Sequence, residues 1–100
     1  MRRAARVDAN QAAVVSALRA AGARVLSLAK VGDGVPDLLV GYRGRLMLLE
    51  VKDGAKRPSK QRKTALQAQF FEEWAGMPVS LVDGPEAALR ALGVLGSADR

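Results

Sequence analysis

The stretch PDLLVGYRGRLMLLEVKDG, residues 36 to 54, limits the fold more than any other part of this 100-residue chain. Two short runs rich in Leu and Val flank Arg43-Gly44, and their length suits strands better than helices. A glycine in the second loop position accepts the left-handed backbone that a tight hairpin requires. The segment therefore reads as an antiparallel pair, PDLLVGY turning into RLMLLEVK. Both runs are apolar on both faces, and such strands need cover on both sides.

The rest of the chain supplies that cover. Asp8 can cap a helix whose apolar stripe runs through Val14, Val15, Leu18 and Ala21, with Gly22 as its stop. From Ala23 the alternation in ARVLSLAKV predicts a first strand that ends at the GDG of residues 32 to 34. After the loop DGAKRPS, Ser59 can cap a long helix with Leu66, Phe70 and Trp74 at four-residue spacing and Gly76 as its end. Phe70, Phe71 and Trp74 read as core or interface. Pro78 opens a short strand, VSLV. Asp83-Gly84-Pro85 then turns into a last helix that buries Ala88, Leu89 and Leu92 before Gly93. The order α-β-β-β-α-β-α predicts one α/β domain over residues 1–100, a three-layer αβα sandwich with a mixed sheet. Residues 1–7, with Arg2, Arg3 and Arg6, read as a basic arm, and residues 94–100 read as a frayed tail.

Composition narrows the chemistry. There is no cysteine and no histidine, so disulfides, thiolate zinc sites and histidine general bases are excluded. The net charge of +6 favours a polyanionic partner. Nucleic acid is preferred to an acidic membrane surface, because no strongly amphipathic basic helix is present. No run approaches the ~18 apolar residues of a bilayer span, and Asp8, Asn10 and Gln11 interrupt any apolar leader, so the chain reads as soluble, unprocessed and cytoplasmic.

Three charged residues inside the apolar hairpin carry the functional reading. Glu50 and Lys52 share one face of their strand, and Val51 points to the other. If Arg43 and Gly44 are the two loop residues, Asp37 lies opposite Glu50 with β-carbons roughly 5 Å apart. A three-residue loop with a bulge at Gly44 would instead set Pro36 against Glu50 and leave Asp37 diagonal to it. Two facing acids repel unless positive charge sits between them, and a divalent cation bound by both is the economical answer. Hard oxygen ligands suit Mg²⁺ or Mn²⁺, which complete their shells with water and phosphate oxygens. Lys52 beside such a site could orient water or stabilise charge on phosphorus, so hydrolysis of a phosphodiester is the expected reaction. The plainer alternative is that Glu50, Lys52 and Asp53 mark where the strand reaches solvent.

Lys56, Arg57, Lys60, Arg62 and Lys63 follow directly, on a loop and the start of a helix, where a dipole and charge can bind DNA phosphates. No aromatic residue is interleaved with them, so base stacking has no support there.

GVPDLLVG, then LLEVKDG, a basic loop and a helix ending in FFEEW resemble the small stand-alone virus-type replication-repair nucleases, the VRR-NUC branch of the PD-(D/E)xK superfamily. The likeness runs from DANQ at residues 8 to 11 through VSLVDGPEAAL at residues 79 to 89. It implies a restriction-endonuclease-like αβββαβ core with an added C-terminal helix. It also implies that Asp37, Glu50 and the Val51 carbonyl are metal ligands and that Lys52 is the catalytic lysine. The implied activity is a metal-dependent DNA endonuclease acting on branched or Holliday-junction DNA in phage replication and repair, working as a homodimer in the host cytoplasm. Relatives often carry a glutamate on the first helix, where this chain has Gln11, which can also close a capping box with Asp8. They also carry a glutamine on the helix after the ExK strand. That place aligns with Ala68, and Gln67 or Gln69 could substitute if the helix is rotated. The alternative function is a catalytically inactive DNA-binding module of the same fold.

Overall fold

The computed structural model describes residues 9–52 and 65–94. In chain order these form α1 (Ala9–Ala20), β1 (Arg24–Ser27), β2 (Leu38–Tyr42), β3 (Arg45–Val51), α2 (Ala65–Glu73), β4 (Val79–Val82) and α3 (Pro85–Leu92). The four strands make one mixed open sheet in the order β1-β2-β3-β4. The first three are antiparallel neighbours, and β4 runs parallel to β3. A parallel pair needs a crossover connection, and α2 lies within it.

The hairpin takes the two-residue loop. Arg43 and Gly44 have φ of 50° and 78°, the left-handed pair that matches strand twist. Pairing runs from Tyr42 opposite Arg45 to Leu38 opposite Leu49. One further step along that register sets Asp37 against Glu50.

Alternation then sorts the side chains. Leu38 and Val40 on β2, Met47, Leu49 and Val51 on β3 and Val82 on β4 point to one face and are buried there. Val14 and Leu18 of α1 and Ala88 and Leu92 of α3 pack on them, each pair one helical turn apart. Leu89 is half-buried against this core. The opposite face carries Leu39, Leu48, Glu50 and Val79, and it also presents exposed Leu46 and Leu81. Phe70 and Trp74 of the α2 segment stack at 4.9 Å, and an open apolar groove of about 300 Å³ lies between Leu46, Leu48, Trp74, Met77 and Val79.

Several boundaries differ from the sequence reading. The first strand stops at Ser27 and does not continue to Val31. The Leu28 N–H donates to the Asp37 carbonyl at 2.8 Å and the Val31 N–H turns back to the Leu28 carbonyl, so the chain leaves the sheet there. Gly32, Asp33 and Gly34 follow with φ of 75°, 56° and 78°, a run incompatible with a strand. The second strand begins at Leu38, not Pro36, because the Asp37 side chain takes a Val51 N–H that a ladder would otherwise use. The third ends at Val51, and the Lys52 N–H donates to the Val82 carbonyl. The middle helix closes at Glu73, short of Gly76. Beyond it the Met77 N–H donates to the Trp74 carbonyl in a turn that has Gly76 at φ 91°. After α3, the Gly93 and Val94 N–H groups donate to the carbonyls of Arg90 and Leu89, so Val94 belongs to the helix cap. The Asp8 and Ser59 caps, the arm of residues 1–7 and residues 95–100 lie outside the described residues. Among those described, no helix is long and apolar enough to cross a membrane.

Candidate active site

Asp37 sits just before β2, held by buried Pro36 on one side and Leu38 on the other. Its Oδ2 accepts the Val51 N–H at 2.8 Å, which ties the start of β2 to the end of β3. Val51 sends its side chain into the core, so its neighbours Glu50 and Lys52 project from the other face.

Glu50 is only 3 % exposed. Its Oε2 accepts the Gln67 Nε2–H at 2.7 Å and lies 3.4 Å from the Lys52 ammonium. Lys52 Nζ also donates to Gln67 Oε1 at 3.3 Å. One amide from α2 thus bridges the acid and the amine, donating to the first and accepting from the second. Glu50 Oε1 is buried without a hydrogen-bond partner. Burial raises the Glu50 pKa above the ordinary glutamate value, the Asp37 charge raises it further, and Lys52 opposes both. A buried carboxylate with one oxygen unsatisfied and a second acid nearby is a group that a cation would complete.

Among the described residues no group of three or more Asp, Glu, His or Cys side chains could hold a metal ion. Two acids nonetheless fit Mg²⁺ or Mn²⁺, since Mg²⁺ commonly takes one or two carboxylates and keeps several waters. The residues that would hold such an ion are Asp37 and Glu50, with the Val51 backbone between them in the hydrogen-bonded network.

The structure places the auxiliary glutamines differently from one another. Gln67 reaches Glu50 and Lys52, whereas Gln69 Nε2 donates to Glu73 Oε2 at 3.1 Å and Ala68 is exposed. The phase of α2 is fixed by an unusual approach. Gly34 lies against the backbone of Leu66 and Gln67 so closely that a β-carbon there would overlap the Leu66 carbonyl. Gln11 lines a groove between α1 and β1 together with Val15, Arg19 and Val25. Lys56, Arg57, Lys60, Arg62 and Lys63 lie outside the described residues.

Asn10 is a residue that sequence reasoning passed over. Its Nδ2 donates to the Lys52 carbonyl at 2.8 Å and to the Asp83 carbonyl at 3.0 Å, so one amide pins α1 to the ends of β3 and β4. Its position beside Gln11 in DANQ was the available signal, but nothing local distinguishes an asparagine that bonds to distant strands. Asn10→Ala is expected to cost about 1 kcal/mol in urea unfolding, because the Lys52 carbonyl loses its donor at a partly buried position, whereas water can replace the exposed bond to Asp83. Unchanged stability would show that water replaces the amide without loss.

Compared with models of protein families, with curated proteins and with solved structures, the chain matches none.

Proposed function

We propose that this chain is a metal-dependent DNA endonuclease of the VRR-NUC branch of the PD-(D/E)xK superfamily, with that superfamily's three-layer arrangement. The observation that carries the reading is the buried Glu50 carboxylate with its unsatisfied Oε1, set beside Lys52 and across the hairpin from Asp37. A fold keeps so unfavourable a group where chemistry uses it. Mg²⁺ or Mn²⁺, when bound, would polarise the phosphodiester and acidify a coordinated water. Asp37 and Glu50 would hold the ion. Lys52, anchored by Glu50 and Gln67, would orient the attacking water and stabilise negative charge building on the phosphoryl oxygens. Gln67 keeps both groups in register and so preorganises the site.

The proposal includes branched DNA as the preferred substrate, action in the cytoplasm and pairing of two copies. Exposed Leu46, Trp74 and Met77 around the apolar groove support the pairing.

The test incubates the protein with labelled linear, flapped and four-way DNA in Mg²⁺, Mn²⁺ or EDTA. The expected result is metal-dependent cutting that Lys52→Ala reduces by about 10²-fold or more. Metal-independent binding with no cutting under any condition would replace this reading with that of an inactive DNA-binding module.

A further inference from the structure

The hairpin end of the sheet, at the opposite end of β3 from Glu50, carries a second concave site. Tyr42, Arg43 and Arg45 of the hairpin and Leu92, Gly93 and Val94 at the end of α3 line a cavity of about 520 Å³, within the size range of small-ligand sites. It shares no residue with the candidate active site.

Three polar side chains converge there. Tyr42 and Arg45 are opposite residues of the ladder, so their side chains leave the same face with β-carbons roughly 5 Å apart. The Arg43 guanidinium lies 5.4 Å from the centre of the Tyr42 ring, within cation–π range. Arg45 Nη2 donates to the Leu92 carbonyl at 3.1 Å, which uses one of its five N–H groups and fixes the guanidinium at the cavity wall. Each arginine is thus oriented by a neutral group. Arg90, by contrast, has the Glu86 carboxylate at 3.5 Å. Among the described residues no acid lines the cavity, and neither Arg43 nor Arg45 is in an ion pair. The carbonyl end of a helix ordinarily repels anions. Here those carbonyls are occupied, Leu92 by Arg45 and Arg90 and Leu89 by the N–H groups of Gly93 and Val94. The two positive charges are left without a counter-charge.

We infer that this cavity binds a phosphate group, held between the Arg43 and Arg45 guanidinium groups with the Tyr42 hydroxyl as a further donor. Guanidinium forks match phosphate oxygens, and three donors from separate positions suit a tetrahedral anion better than a flat carboxylate. Two like charges set side by side also repel, and one phosphate relieves both. The group recognised is the same whether it belongs to a DNA backbone or to a free nucleotide. The inference is independent of the nuclease reading, and it places no part of a ligand near the acids.

The experiment follows the arginine Nε–H and backbone amide resonances by NMR while inorganic phosphate is added in EDTA, with ionic strength held constant by chloride. Saturable shifts are expected at Arg43, Arg45 and Gly93, described by one dissociation constant. Arg43→Gln and Arg45→Gln should each weaken binding about tenfold. Arg45→Gln also disturbs the bond to Leu92, so Arg43→Gln, which leaves that bond in place, decides the matter if the other variant does not fold. Arg24→Gln removes the same charge from the opposite face, beside Gly41, and should leave the affinity unchanged. A short duplex DNA distinguishes the two sources. The same resonances move at lower ligand concentration if a DNA backbone is bound, and stay still if only free phosphate or a mononucleotide fits. Absence of saturable shifts at Arg43 and Arg45 with either ligand, or equal affinity in all three variants, would overturn the site and leave the nuclease reading untouched.

Discussion

Glu50→Gln is expected to melt at a higher temperature than the native protein at neutral pH and, on the proposed nuclease reading, to cut DNA about 10³-fold more slowly, a split between stability and activity. The stability half follows from linkage. The folded-state pKa of Glu50 is raised, chiefly by burial and then by the Asp37 charge, so the folded protein holds this proton more tightly than the unfolded chain. Stability contributed at this group is greatest below the ordinary glutamate pKa and falls as pH rises through the raised one. Above that window the native protein carries the full penalty of a buried carboxylate, and the glutamine variant carries none. The expected gain is about 1 kcal/mol, or about 4–8 °C in Tm for a domain of this size. It should shrink to nothing as the pH falls below the normal glutamate range. Lys52 and Gln67 oppose the effect, since both favour the charged form through contacts at 3.4 and 2.7 Å. A melting temperature below native at neutral pH would mean that these contacts outweigh burial. The activity half has its own readout, because a neutral amide binds Mg²⁺ or Mn²⁺ poorly and removes the anchor of Lys52.

Gly34→Ala should be the most damaging single methyl addition in the described residues. Two costs add. At φ 78° a β-carbon is disfavoured by about 1 kcal/mol, and here it would also overlap the Leu66 carbonyl, part of a helix backbone that cannot swing aside as a side chain tip would. The expected loss is about 2–4 kcal/mol in denaturant unfolding. Gly32→Ala is the matched control, since its φ of 75° is nearly the same and nothing lies within contact of its β-carbon. It should lose only about 1 kcal/mol. The difference between the two isolates the contact with α2. If the fold survives by moving α2 outward, Gln67 leaves Glu50 and Lys52, and cutting should fall further than the lost stability explains. Equal losses in the two variants would show that backbone conformation alone matters at Gly34.

The hairpin was legible because its determinants are local. A glycine after Arg43 marks the turn in the sequence, and the positive φ of both loop residues then selects the two-residue loop over the bulged one, which places Asp37 opposite Glu50. The helix stripes at Val14 and Leu18 and at Ala88 and Leu92 were legible for the same reason, since one turn of a helix sets their spacing. The end of the first strand was not. ARVLSLAKV alternates throughout, but a strand persists only where a neighbour pairs with it; the Leu28 N–H makes a last bond to the Asp37 carbonyl, and the Val31 N–H then turns back to the Leu28 carbonyl.

What the sequence by itself determined, then, is the element order, the place of the hairpin and the set of charged residues available to a site, while the structure decided between the two-residue loop and the bulged one. Tertiary structure alone decided that Gln67 and not Gln69 reaches them, that Glu50 is buried with one oxygen unsatisfied, and that Asn10 binds the ends of two strands. The physical reason is that the spacing of residues along a helix is a property of the chain, whereas its rotation about its own axis is set by what it rests against. For α2 that support is the backbone of Gly34, more than thirty residues away in sequence.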